Sequence, residues 1–584
     1  MLFKRTGRDT GSAQGLSQIL WRFRGVLLAV GLMSGTINIL YLTGSFYMLQ
    51  VYDRVIPSRS IPTLVALTVL TVGLFLFQAV LELVRSRILL RLAGSFDFDL
   101  SSRVFDLVTR MPLRAKQVGD GQQPVRDVDT IRNFLVGPGL TAFFDLPWMP
   151  IYVFLCFLFH PLIGWSVLGG ALILFVIALV TEISAREPAL KMAALAARRG
   201  AFAEAGRRNA EAIAAMGMSP GLGQSWRQLN DQFMEQQRAA SDLTGGLGAL
   251  SRFVRLVLQS GVLGVGAYLV IEGQATGGVI IAGSILAARA LAPVDLAIAH
   301  WRSFVSARQS TKRIFSLLES FPRTEVPLKL PAAREGLRVQ SASVAPPGVP
   351  ALVVHDVSFE LKAGDGLGVI GPSASGKSSL ARLLVGIWLP SRGRIRLDGA
   401  SLEQWDPVEL GRQIGYLPQD VELFAGTIAE NISRFATAID DEAVIAAAQA
   451  AGVHELVLRL PNGYGTPIGE GGTALSAGQR QRIGLARALY GDPFLMVLDE
   501  PNSNLDQEGE NALTRAIVGV RRRGGIAIVV AHRQAALNAV DKVLVMAEGR
   551  AQAFGPKDEV LQRVLRPATA PLSVVAGETG KAGS

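Results

Sequence analysis

"GPSASGKSS", residues 371–379, decides how the chain is read. The apolar run Leu367 to Ile370 leads into it and an amphipathic segment follows, so Gly371-x-x-x-x-Gly376-Lys377-Ser378 sits where a strand gives way to a helix. The glycines let the loop Gly371, Pro372, Ser373, Ala374, Ser375 and Gly376 curl its backbone N–H groups around phosphate oxygens, with Ser379 following on the helix. Lys377 brings a point charge to the β- and γ-phosphates, and the Ser378 hydroxyl suits Mg²⁺. The helix N-terminus adds a dipole that favours anions. Such a loop predicts ATP as ligand with Mg²⁺ as its companion.

A phosphate loop of this kind needs a carboxylate at a neighbouring strand end, and "FLMVLDEP" at 494–501 offers an apolar strand ending in Asp499 and Glu500. Asp499 is expected to hold Mg²⁺, largely through water. Glu500 is placed to polarise an attacking water. An apolar strand capped by two acids is uninformative by itself; in register with the loop it points to nucleotide hydrolysis.

Upstream the chain changes character. Residues 26–300 are dominated by Leu, Val, Ile, Ala, Gly and Phe, whereas 330–560 have the mixed charge of a soluble α/β domain. From Val26 to Tyr52 no charge appears, longer than the roughly 20 residues that cross hydrocarbon. Ser60 to Leu81 forms a second uncharged run. Leu146 to Thr181 is long enough for a hairpin of two spans turning at His160-Pro161, and Leu256–Ile271 with Gly273–Ala288 supplies a fifth and sixth about Glu272. A large water-soluble helical core is the competing reading, disfavoured by the length of these runs. The basic residues ahead of Val26 resemble the start of a signal peptide, but no small-residue cleavage site closes the long apolar run, so an uncleaved first span is expected.

The net charge of +10 fits either nucleic acid or the cytoplasmic loops of a membrane protein. Placement favours the second: Arg85, Arg87, Arg91, Arg103 and Arg110 lie in one stretch between apolar runs, and Arg198, Arg199, Arg207, Arg208 and Arg227 in another. No nucleic-acid partner is expected; a lipid bilayer is. One cysteine, Cys156 in an apolar run, excludes an internal disulfide.

With "LSAGQRQRIGLARAL" at 475–489 the chain resembles ABC transporters. Their signature usually reads Leu-Ser-Gly-Gly-Gln; here Ala477 stands for the first glycine, between Ser476 and Gly478-Gln479. Gln419 in "YLPQD" looks like the glutamine linking the metal site to the membrane domain, Ser503 to Asp506 like the D-loop, and His532 in "VVAHR" like the switch histidine at the γ-phosphate. The resemblance implies an exporter half-transporter: an α-helical membrane domain of six transmembrane helices followed by an α/β P-loop ATPase domain, working as a homodimer in which Ser476 and Gly478 close over nucleotide on the other copy. The expected divisions are a cytoplasmic segment 1–25, membrane domain 26–320, linker 321–336, ATPase domain 337–565 and a disordered tail 566–584. The family's adenine-stacking aromatic should fall near "SVAPPG", where Ala345 and Pro346 stand.

"VYDRVIPSRSIPTL" (51–64), "VRDVDTIRNFLVGPGLTAFFDLPWMPIYV" (125–153) and "LDEPNSNLD" (498–506) resemble the inner-membrane permease/ATPase of type I secretion systems, in the protease and lipase exporter branch. That implies unfolded protein cargo with a C-terminal secretion signal, a periplasmic adaptor, an outer-membrane tunnel and a bacterial inner-membrane location. About 25 residues ahead of Val26 leave no room for the peptidase-like domain of neighbouring branches. Export of lipid or small amphipathic molecules, and a membrane-anchored regulator gated by nucleotide, are the alternatives.

Overall fold

The structure is a computed structural model and describes residues 13–114, 121–321, 329–531 and 534–565. The tail from 566, the first 12 residues and part of the Pro-rich linker lie outside them. The chain divides into two compact units near residue 322.

The first unit is helical. Among the described residues six helices are long and apolar enough to cross a bilayer: Arg24–Ser58, Ile61–Arg114, Pro138–Phe159, Pro161–Arg208, Ser219–Ile271 and Gly277–Ala299. They are taken here as spans one to six, and the chain is a multi-pass membrane protein. Only 6% of the most apolar window of span two is buried inside the chain, so its surface is built to be covered by lipid or protein rather than water. Spans two, four and five, at 54, 48 and 53 residues, run on as helix well past the hydrocarbon. His160 breaks the hairpin between spans three and four with extended backbone, and its Nδ1 accepts from the Leu162 amide. Span six begins at Gly277 rather than Gly273, because Asp53 caps its start, accepting from Thr276 Oγ1 at 2.7 Å and from the Gly278 amide at 3.0 Å.

Helix breaks lie just outside spans three and six and pack against each other. The helix Gln123–Val136 stops at Gly137, whose ψ of 161° is extended, and the helix Pro138–Asp145 restarts beyond it. Span six ends at Ala299, and a new helix, Trp301–Ser320, follows His300. Phe143 and Phe304 pack across the breaks with centroids 4.7 Å apart. Below them Asp127, 1% exposed, receives Ser310 Oγ at 2.8 Å and Arg313 through Nε at 2.9 Å and Nη2 at 2.6 Å, fastening the two extensions together.

Arg85 departs from the loop-charge reading. It is buried in span two, donating from Nη1 to Asp145 Oδ1 at 3.1 Å and to Ser34 Oγ at 2.9 Å, while Asn38 donates to the same Asp145 oxygen at 2.9 Å. A charge within the hydrocarbon needs a partner or water, and for Arg85 the partner is Asp145. Cys156 is buried and free, as an apolar filler.

The second unit is α/β. Its main sheet runs β10 (Arg550–Pro556), β9 (Lys542–Ala547), β3 (Gly366–Ile370), β8 (Ile526–Val530), β7 (Leu495–Asp499), β6 (Ile414–Leu417). All neighbours from β9 to β6 are parallel. Both faces are covered, so β7 and β8 are buried at every residue and read as unbroken apolar runs rather than alternating ones. An antiparallel sheet of β2 (Val354–Lys362), β1 (Gly336–Val344), β4 (Arg392–Leu397) and β5 (Ala400–Ser401) packs into one of two apolar cores. Ligands in such sheets bind at the carboxyl ends of the parallel strands. Here those ends carry the loop after β3 and Asp499 at the end of β7, with β8 between them.

Candidate nucleotide site

The loop after β3 is shaped by positions that only glycine fits. Gly371 has φ 154°, and a Cβ there would lie 2.0 Å from the Met546 carbonyl oxygen. Gly376, at φ 93°, would put one 2.7 Å from the Val353 oxygen. Pro372, Ser373 and Ala374 are exposed at the loop's crest, Ala374 in the left-handed region at φ 62°. Ser375 is buried, and its carbonyl accepts from the Gly549 amide.

Lys377 opens the helix Lys377–Leu384 and turns back into the loop, its Nζ 3.0 Å from the Gly371 oxygen and 2.8 Å from that of Pro372. Burial pushes its pKa below that of a free lysine, against the pull of Glu500 and Asp499. A phosphate at this point would restore the lost stabilisation of the cation. Ser379 stands half-buried in the same first turn.

Ser378 Oγ donates to Asp499 Oδ1 at 3.0 Å, so the loop and β7 meet as their spacing predicts. Asp499 is 1% exposed, and its Oδ2 is buried without a hydrogen-bond partner among the described residues. Burial raises its pKa, with the nearby Glu500 charge adding to the effect and Ser378 opposing it. A buried carboxylate oxygen lacking a donor, beside a hydroxyl, is the donor set a hard cation takes. The residues fit Mg²⁺.

Glu500 follows β7 with φ 50°, in the left-handed region, and its amide donates to the Val530 carbonyl at 3.0 Å. That turn carries the side chain off the strand axis, where Gln419 Nε2 donates to its Oε2 at 3.2 Å. Gln419, Asp499, Glu500, Ser378 and Lys377 therefore converge at the carboxyl end of the parallel strands. His532 lies outside the described residues.

The signature forms a second group. Ser476 caps the helix Ala477–Leu489 in a reciprocal box with Gln479: Ser476 Oγ accepts from the Gln479 amide and Gln479 Oε1 accepts from the Ser476 amide. A Cβ on Gly478 would lie 2.9 Å from the Asn504 oxygen, and Gln481 donates to the Pro501 carbonyl at 3.1 Å. The helix is thus seated on residues 501–506. Among the described residues no hydrogen bond joins Ser476, Ala477, Gly478 or Gln479 to the phosphate loop. One group can grip a triphosphate and the other presents a capped helix start.

A six-span helical unit followed by an α/β unit with this loop, strand-end acid pair and signature defines an ATP-hydrolysing exporter, and the chain belongs to the ABC transporter family. The family model described as ABC transporter transmembrane region matches residues 27–293, and that described as ABC transporter matches 354–503. The chain is 56% identical over 561 residues, 96% of either chain, to the type I secretion system ATP-binding protein PrsD of Rhizobium meliloti (strain 1021). It is 30% identical to the cyclolysin secretion/processing ATP-binding protein CyaB of Bordetella pertussis, over 93% of this chain and 76% of that one. A bacterial Atm1-family ABC exporter with ATP bound has the same fold, with a TM-score of 0.78 at 22% identity over 93% of this chain and 96% of that one.

Proposed function

We propose that the chain is the ATP-driven exporter of a type I protein secretion system in the bacterial inner membrane. Two copies translocate unfolded proteins that carry a C-terminal secretion signal. Its partners are a second copy, a periplasmic adaptor and an outer-membrane tunnel protein. The observation that carries the reading is the meeting of Ser378, Asp499, Glu500 and Gln419 beyond the carboxyl ends of β3, β7 and β6. The protein cargo is supported by the similarity to PrsD and CyaB, which also disfavours the lipid-export alternative.

Each residue has a task derived from its place. The loop 371–376 orients the triphosphate with backbone N–H groups, and Lys377 exchanges two carbonyl contacts for phosphate oxygens. Ser378, Asp499 and Gln419 would hold Mg²⁺, which when bound neutralises phosphate charge. Glu500 accepts the proton of the attacking water as general base, a role worth about 10²–10⁴ in rate. Gln419, leaving Glu500, is positioned to report nucleotide occupancy. Ser476 and Gly478 of the second copy complete the pocket, since the chain's own signature is seated on 501–506. His532 is assigned to the γ-phosphate by its motif.

The test is ATP turnover by purified protein. Glu500→Gln is expected to bind ATP, lose at least 10²-fold in turnover and accumulate as a closed dimer. Wild-type turnover by that variant would remove Glu500 as the base. A wild-type protein with no turnover would favour the nucleotide-gated regulator. Stimulation of turnover by lipid alone, and not by a protein ending in a secretion signal, would overturn the cargo assignment.

A further inference from the structure

Span six carries a charge that the nucleotide chemistry does not use. Arg289 stands roughly 18 Å from the start of Gly277–Ala299 at 1.5 Å per residue, inside a hydrocarbon layer about 30 Å thick. It is exposed on the surface of the chain, with its guanidinium over the Tyr41 ring, 4.2 Å from the centroid. Among the described residues no carboxylate or carbonyl accepts a hydrogen bond from it. The nearby acid, Glu82, is engaged by Tyr41 Oη and Gln78 Nε2, each at 2.9 Å.

Two other ions of the spans have charged partners. Arg85 has Asp145, and Asp295, also on span six, has Arg255 at 2.8 Å and Ser251 at 3.0 Å. Charges at this depth face a bundle interior or a water-filled cavity, because lipid cannot solvate them. The Tyr41 face holds the guanidinium plane but takes none of its N–H donors. Arg289 is therefore a fixed, hydrated fork of donors. On its side of the helix, at −4, +3 and +7, lie Ile285, Ala292 and Leu296, none fully buried and none charged. The strip is apolar apart from this one cation, so the guanidinium is its charge-selective element. It discriminates for carboxylates, which the guanidinium fork binds in bidentate fashion.

We propose that Arg289, steadied by Tyr41, is a carboxylate subsite in the translocation path, taking Asp and Glu side chains of the passing polypeptide. The inference rests on the protein-export reading and adds to it a preference for acidic segments.

The experiment uses the full-length protein in phospholipid nanodiscs. Two probes are compared: an unfolded Asp/Glu-rich polypeptide ending in a type I C-terminal secretion segment, and its twin with Asn for Asp and Gln for Glu. The readouts are the probe concentration that half-maximally changes ATP turnover, and photocrosslinking from p-benzoyl-phenylalanine placed at Leu296. For wild type the acidic probe is expected to act at roughly five- to tenfold lower concentration and to crosslink more strongly. Arg289→Gln is expected to erase that difference and Arg289→Lys to keep part of it. Equal response of wild type to both probes overturns the subsite while leaving protein export standing, and needs no variant to fold. A preference that survives in Arg289→Gln overturns it as well, as does loss of the dimer in Arg289→Gln without any probe preference in wild type, which would make Arg289 a subunit contact. If neither probe changes wild-type turnover or crosslinks, the export reading fails, and the subsite with it.

Discussion

Removing the carboxylate of Asp127 tests how the two broken helices are held together. Asp127 is almost fully buried, whereas the Arg313 side chain keeps 39% of its surface exposed, so the pair is stronger than a surface bridge and weaker than a fully buried one. Breaking a buried pair costs about 3–5 kcal/mol, and solvent at Arg313 lowers the expected cost of Asp127→Asn to ~2–3 kcal/mol. Four accepted bonds are at stake, one from Gln123, one from Ser310 and two from Arg313. At about 1.36 kcal/mol per decade, amide hydrogen exchange in Gln123–Val136 and Trp301–Ser320 should accelerate roughly 30- to 150-fold. Exchange in the core strands β7 and β8 should not change. Asp127→Asn with Arg313→Gln should cost less than the sum of the single changes by at least ~1 kcal/mol. Exchange within threefold of wild type, or strict additivity, would show that the fork does not fasten these helices.

Acidity should act oppositely on stability and turnover through Asp499. Its folded pKa lies above the ordinary Asp value, so the stability of the ATPase unit rises as pH falls through that raised pKa toward the ordinary one. Mg²⁺-dependent turnover should fall over the same window as the carboxylate is protonated, and Asp499→Asn should abolish turnover and flatten the pH dependence of stability. Arg434 donates to the carbonyls of Arg487, Gly411, Ile414 and Ala488, so Arg434→Ala should cost about 3 kcal/mol in denaturant unfolding, with little recovery in Arg434→Lys. A Cβ on Gly35 would lie 2.4 Å from the Trp148 ring, and Gly35→Ala should lower stability by ~1–3 kcal/mol and shift tryptophan fluorescence.

Contiguous patterns were readable in the sequence because their physics is local. The phosphate loop needs glycines at positions set by its own backbone, and β7 is buried on both faces and so is apolar throughout until Asp499. Apolar runs likewise mark spans by length alone. What could not be read joins distant residues. Arg85 resembled its cytoplasmic neighbours in every local respect, and only Asp145, 60 positions on, distinguishes it. Asp127 and Arg313 are 186 apart, and Gln419 and Glu500 are 81 apart. The interruption at Gly137 carries a Gly-Pro signal, yet that at His300 carries none, because it is marked by packing of Trp301 and Phe304 against Phe143 of another helix. The run SVAPPG ends β1 with Ala345 and Pro346 in place of an aromatic, so sequence assigns adenine no platform there.

The Arg85–Asp145 pair also sets an order of events during synthesis. Span two leaves the ribosome with its arginine while the counter-ion is still unmade, and at about 5–20 residues per second the missing 60 residues take roughly 3–12 s. During that interval the guanidinium must rest among headgroups, and Ser34 and Asn38, already threaded, offer it only neutral oxygens. The native partner set of Arg85, and with it the final seating of the first two helices, is thus complete only once the third has been made.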